Sequence, residues 1–150
     1  MPSYSSSHKV NHNAGDMFRL VADVEQYPQF VPLCQDLHVR GRKELENGAT
    51  VLVADMTVAY KLFKETFTSR VELRPDEHTI LVEYLDGPFK HLENTWTFED
   101  LGEGTSNVGF YISYEFRSRT LGSLMGVMFD RAFRKFSSAF EARADEVYGT

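Results

Sequence analysis

The chain has 150 residues, 42% of them hydrophobic and 25% charged, with a formal net charge of −6. That is the natural size of one domain, 1–150, able to bury roughly 70% of its unfolded surface, and the ordinary composition excludes collagen-like, coiled-coil and wholly disordered chains. The acidic balance argues against DNA, whose non-specific contacts need many Lys and Arg; the feature above background is the load of 12 Phe, 7 Tyr and 1 Trp, rings that fill a core or line an apolar cavity.

Residues 4–10 read as an edge strand or a loose tail. Asn13 is placed as an N-cap, with Asp16 in the first turn of a short helix through Phe18, Leu20, Val21 and Val24. Tyr27-Pro28 ends that helix in this reading, because a residue before proline avoids helical geometry, and Gln29–Pro32 forms a tight turn.

From about Leu37 to Arg117 the hydrophobic period is two. Val51, Val53, Asp55 and Thr57 alternate with Leu52, Ala54, Met56 and Val58. Phe63, Glu65, Phe67, Ser69, Val71 and Leu73 share one face, as do Ile80, Val82 and Tyr84. Leu92, Asn94, Trp96 and Phe98 form another set, and Val108, Phe110, Ile112, Tyr114 and Phe116 the last. Glu46-Asn47-Gly48, Pro75-Asp76-Glu77, Asp86-Gly87-Pro88 and Gly102-Glu103-Gly104 punctuate the runs as turns. Such alternation predicts long antiparallel strands with one wet face, arranged as a meander.

The last 30 or so residues switch to a helical period. Leu121, Leu124, Met125, Met128, Phe129, Ala132, Phe133, Phe136, Phe140 and Val147 mark one stripe of a helix from about Thr120 to Tyr148, on the order of 40 Å long. A sheet with one apolar face and a helix with one apolar stripe bury them together. The expected fold class is therefore α+β, a curved antiparallel sheet wrapped around a C-terminal helix.

Catalytic chemistry has thin support. His8, His12, His38, His78 and His91 show no metal-ligand spacing, so no metal site is expected. No Gly-x-Ser-x-Gly, phosphate loop or dinucleotide fingerprint occurs. Cys34, the sole cysteine, excludes an intramolecular disulfide and sits in apolar surroundings as a buried thiol. More informative are polar groups on otherwise apolar faces: Asn94 between Leu92 and Trp96, Glu65 between Phe63 and Phe67, and Asp55 with Thr57. Burying such groups is costly unless they are paired or face a cavity. They pair with nearby basic residues, lie exposed at a strand end, or orient the polar head of an apolar ligand. Gly122 and Gly126 weaken the start of the long helix. They mark close packing on the sheet, a pliable, Met-rich lid over a cavity mouth, or a segment, residues 121–129, that touches a membrane surface.

Three segments carry a family resemblance. Asp23-Val24-Glu25-Gln26-Tyr27-Pro28-Gln29-Phe30-Val31-Pro32-Leu33-Cys34 resembles the first signature of the coenzyme Q-binding START-domain family. Gly87-Pro88-Phe89-Lys90-His91-Leu92-Glu93-Asn94-x-Trp96-x-Phe98 is similar to its second, and Phe129-x-x-Ala132-x-x-Lys135 with Ala139-Phe140-Glu141-x-Arg143-Ala144 to its C-terminal helix. Leu33 departs from the tryptophan of many members, which bears only on a peripheral contact. Bacterial members are also described as polyketide cyclase-like proteins or ribosome-association toxins. The resemblance implies a helix-grip (START/Bet v 1-like) fold, with a seven-stranded sheet, residues 4–10 as its first strand, and an apolar tunnel. It implies binding of ubiquinone or a related isoprenoid lipid as ligand, in support of respiration, with no catalysis and no other cofactor.

On that reading the tail lies along Phe63, Phe67, Val71, Val82, Tyr84, Trp96, Phe110, Ile112 and Tyr114, under Met125, Met128 and Phe129. Asn94 and Glu65 hold the headgroup, and Pro32 and Phe89 shape the tunnel mouth. The start of the chain lacks the pattern of a secretory signal, and Leu121–Phe129 falls short of the roughly 20 apolar residues of a membrane span, so the expected place is the cytoplasm, at most peripheral to the membrane. Two alternatives stand beside the carrier. One is a ribosome-directed growth-inhibiting toxin-type module using Arg40, Arg42 and Lys43 or Arg131, Arg134 and Lys135, against which the net charge counts. The other is a polyketide cyclase or dehydratase with Glu65 or Tyr84 as acid/base, the least supported.

Overall fold

A computed structural model describes residues 3–61 and 63–149; the first two positions of the opening stretch lie outside the described residues. Strand β1 (Ser3–Val10) leads to helix α1 (Ala14–Ala22), then come β2 (Cys34–Glu44), β3 (Thr50–Tyr60), β4 (Phe63–Arg74), β5 (Thr79–Asp86), β6 (Phe89–Gly102), β7 (Thr105–Phe116) and helix α2 (Arg119–Tyr148). The seven strands form one sheet in the order β1-β7-β6-β5-β4-β3-β2, every neighbour antiparallel. Strands β2 to β7 are the expected meander, closed by β1 pairing with β7. The fold is the helix grip: a curved antiparallel sheet around the long C-terminal helix.

The Asn13 cap is present, its side-chain oxygen accepting from the Asp16 N–H. Helix α1, however, stops at Ala22. Pro28 lies inside a separate 3₁₀ turn over Val24–Gln29 rather than ending α1. Proline fixes φ near −65°, which a 3₁₀ turn accepts, and Asp23 has already left helical geometry. The Tyr27 hydroxyl donates to the Val21 carbonyl and ties this turn back to α1.

Register shifts in β2, at Thr68/Ser69 in β4 and at Phe89/His91 in β6 bend the sheet. Its inner face meets α2 through Met125, Phe129, Ala132, Phe133, Phe140 and Ala144. Leu124 and Val147, expected on that stripe, face solvent instead, because the buried residues recur along a narrower line through 125, 129, 132, 133, 140 and 144. The C-terminal half of α2 is tied down by polar contacts. His8 meets Glu141 (3.1 Å), His12 meets Asp145 (2.7 Å), Arg143 donates to Gln29 (2.8 Å) and the Tyr148 hydroxyl donates to the Asp16 carbonyl (3.1 Å).

Candidate functional site

The inner face of the sheet and α2 do not meet everywhere. Between them is a cavity of about 130 Å³. Its walls come from β3 (Ala54, Met56, Val58), β4 (Phe67, Ser69, Val71), β5 (Ile80, Val82), β6 (Phe89, Leu92, Asn94, Trp96) and β7 (Phe110, Ile112). Its roof is Phe129, Ala132, Phe133, Phe136 and Phe140 of α2. One end is closed by Val24, Tyr27, Val31, Pro32 and Leu33 after α1, with Leu37 of β2. No charged side chain lines it among the described residues.

The aromatic walls are locked by ring-on-ring contacts. Trp96 lies 4.7 Å from Phe110 and 5.0 Å from Phe140, centroid to centroid. Phe89, 1% exposed, is the hub at the other end, against Phe67, Tyr84, Phe116 and Phe129. Gly87 places Phe89 there: its φ is +143°, and a Cβ would stand 2.6 Å from the Phe67 Cβ. Only glycine lets the β5–β6 turn press this close. That supplies a physical reason for the Gly87-Pro88-Phe89 run.

Of the residues anticipated for the tunnel, Pro32, Phe67, Val71, Val82, Phe89, Asn94, Trp96, Phe110, Ile112 and Phe129 line the cavity. Phe63, Glu65, Tyr84, Tyr114, Met125 and Met128 do not. Tyr114 packs on Phe116, Phe129 and Phe133, and Met125 is buried with them, so this end is solid core. Met128 packs half-buried against the same core. Tyr84 turns to the β5–β6 turn, where its hydroxyl accepts from the Phe89 N–H at 3.0 Å. Phe63 and Glu65 are half-buried at the start of β4, beyond the cavity wall. Glu65 therefore stands outside the cavity lining. Leu33, expected to be peripheral, lines the cavity with a left-handed φ of +69°.

Asp55 and Thr57 are also corrected: both belong to the outer face. Asp55 accepts from Arg40 (2.8 Å) and from the Thr68 hydroxyl (2.6 Å), and Thr57 pairs with Thr66 across β3 and β4 (2.8 Å). The Arg40 hydrogen bond, then Thr68, holds the Asp55 carboxyl below its usual range. On the same face Glu72 is gripped by Arg74 and Arg70, chiefly Arg74, and its carboxyl is likewise lowered. Burial pushes the Cys34 thiol up to about 11, which leaves it protonated and unreactive at neutral pH.

Three oxygen- or amide-bearing side chains reach the cavity. The Tyr27 hydroxyl is bonded to Val21, and burial followed by the nearby Cys34 and Asp23 pushes the phenol far up. Asn94 donates one N–H to the Tyr111 carbonyl (2.8 Å). Ser69, absent from the anticipated set, is buried with its Oγ unpaired among the described residues. A serine inside an apolar alternation has no spacing signal, so only the packed sheet exposes its isolation. Strands β5 and β6 pair only from Thr79↔Thr97 to Glu83↔Glu93. Where that ladder stops, Val82, Leu92 and Asn94 line both the cavity and a groove on the outer face.

Comparison with known proteins agrees with this architecture. Residues 10–141 match the family described as polyketide cyclase / dehydrase and lipid transport. The ribosome association toxin RatA of Escherichia coli is 33% identical over 148 residues, covering 99% of this chain and 90% of that protein. The mitochondrial coenzyme Q-binding protein COQ10 homolog B of Xenopus laevis is 32% identical over 150 residues, 97% of this chain and 59% of that one. Among solved structures, an 18 kDa protein of Caulobacter crescentus superposes with a TM-score of 0.81 at 30% identity, covering 100% of both chains. A START superfamily protein of Mycobacterium smegmatis gives 0.79 at 18% identity over 97% of this chain and 98% of its own, a likeness of fold alone. The chain belongs to the polyketide cyclase / dehydrase and lipid transport family, with the START-like fold that grips its C-terminal helix.

Proposed function

We propose that the protein binds and chaperones ubiquinone or a related prenyl lipid in the sheet–helix cavity, without catalysis, in support of respiratory electron transport. The observation that carries this reading is the charge-free, aromatic-lined cavity. An unpaired charge buried there would be strongly unfavourable, so the enclosed part of a ligand is neutral. Its relative with a coenzyme Q-binding name supplies the ligand class. Size refines the picture. A dry cavity of about 150 Å³ accepts benzene, so about 130 Å³ suits a single ring. A prenyl tail then requires α2 to shift outward over its first half.

That half of α2 suits such movement. It carries Gly122 and Gly126, and its Leu124 and Val127 are 69% and 60% exposed. This exposed pair within residues 121–129 would rest transiently on a membrane surface while ligand passes. No helix among the described residues is long and apolar enough to cross a membrane, which leaves surface contact as the helical route to lipid. The non-catalytic reading is supported by the two candidate acid/base residues: neither Glu65 nor Tyr84 lines the cavity, and the Tyr84 hydroxyl is taken up by the Phe89 N–H.

Lipid extraction of protein purified from membrane-containing lysate, followed by mass spectrometry, tests the carrier. A stoichiometric neutral prenyl lipid is expected. A protein that carries none and fails to bind added quinone contradicts it. The relatives named for ribosome association favour a second reading, docking on a ribosomal subunit. Arg40 and Arg42 are paired with Asp55 and Glu25, which leaves Lys43 alone in that cluster, whereas α2 offers two exposed cations, Arg131 and Lys135, one helical turn apart for RNA. Co-sedimentation with purified subunits that Arg131→Glu and Lys135→Glu abolish would support that role.

A further inference from the structure

We infer that Ser69 is a ligand-binding residue, a hydrogen-bond donor that works with Asn94 to seat a neutral ring carrying acceptors on opposite edges. The inference rests on the cavity reading above and adds to it the way the ligand is held. Ser69 is 6% exposed, lies on the inner face of β4 and lines the cavity, and its Oγ has no partner among the described residues. A buried hydroxyl left unpaired is unfavourable and rare, so one facing an apolar cavity is poised for a ligand atom. The other unpaired buried hydroxyl, Ser106, lies at the start of β7 away from the cavity.

The register fixes the relation to Asn94. Ser69 pairs with Tyr84 on β5; one residue pair further along that face, Val71 pairs with Val82, and Val82 with Asn94 on β6. Two strands and two residues separate them, roughly 10–12 Å between Cα atoms at about 4.8 Å per strand and 3.3 Å per residue. With both side chains turned inward, the remaining gap suits one ring. Asn94 has given one amide N–H to Tyr111. Its second N–H serves one edge of the ring and the Ser69 hydroxyl the other. The residues between them, Val71 and Val82, are apolar and set the ring's plane by contact.

The test is equilibrium dialysis of wild type and Ser69→Ala with two probes. One is a ubiquinone bearing a single isoprene unit, the other the same prenylated ring lacking both carbonyl oxygens. The expected result is quinone affinity lowered about 3- to 10-fold in Ser69→Ala, the worth of one ordinary hydrogen bond, with the carbonyl-free ring unaffected. Thermal melting accompanies it, and loss of an unpaired hydroxyl should leave Tm unchanged or raised. If wild type binds both probes and Ser69→Ala weakens neither, or both equally, the role of Ser69 is overturned while the cavity reading stands. If wild type binds neither, the cavity reading falls and this inference falls with it.

Discussion

At the scale of single residues, the molecule separates ionic side chains on the outer face from neutral ones within. Asp55 and Glu72 show what the outer face contributes. Both carboxyls are held below their ordinary values by arginine hydrogen bonds, so the fold favours their ionised forms. Their stabilisation is full above the ordinary value, 3.8 for Asp55, and is lost as pH falls through the lowered folded value. Asp55→Asn should therefore melt below wild type at neutral pH, with the two Tm curves converging in acid. Curves that stay parallel to the lowest pH reached would show that the Asp55 pair contributes nothing. Inside, Phe89 is the opposite case, a ring 1% exposed among five others. Phe89→Ala should cost about 3–5 kcal/mol in urea unfolding. Gly87→Ala should also be destabilising, since its Cβ has no room against Phe67.

At the scale of elements, strands β3 to β7 are readable because period-two alternation runs through five successive segments and Gly/Pro-rich turns separate them at every connection but β3–β4. What alternation cannot decide is which face turns inward when both are apolar. In β3, Val51 and Val53 share a face with Asp55 and Leu52 and Ala54 share the other, so both faces are apolar in sequence, and only the cross-strand partners Arg40 and Thr68 mark the Asp55 face as the outer one. The β3–β4 connection escaped for a related reason: Tyr60 pairs with Phe63 across a turn where Lys61, not glycine, takes a φ of +54°. Helix α2 divides in two. Its C-terminal half is clasped by Glu141, Asp145 and Arg143, whereas its first half holds by packing and carries both glycines. Neither glycine is demanded by close contact: a Cβ on Gly122 would meet Phe116 at an ordinary 3.7 Å, and one on Gly126 meets nothing within 4 Å. Gly126→Ala should raise stability by about 1 kcal/mol and slow ligand exchange if this half moves. A stabilised variant that exchanges ligand at the wild-type rate would separate helix strength from entry. Leu124→Asp with Val127→Asp should reduce sedimentation with phosphatidylglycerol-containing vesicles and leave Tm nearly unchanged, since both side chains are exposed.

At the scale of the whole molecule, the aromatic load resolves into two uses. At the Phe89–Tyr114–Phe116 end the rings pack as solid core; around Trp96, Phe110, Phe136 and Phe140 they wall a space. Sequence patterns put both groups on one apolar face but could not say where packing stops, because cavity and core are built from the same residue types. The space around Trp96 takes a neutral ring-bearing ligand in the proposed function, and that proposal has a direct optical test. Trp96 is the only tryptophan and lies on the cavity wall, so its fluorescence reports on that place alone. Titration with a single-isoprene ubiquinone should quench Trp96 saturably, and Val71→Phe, which fills the space between Ser69 and Asn94, should abolish saturation while the protein still melts cooperatively. Quenching that rises linearly without saturating in wild type, or that Val71→Phe leaves intact, would contradict the account.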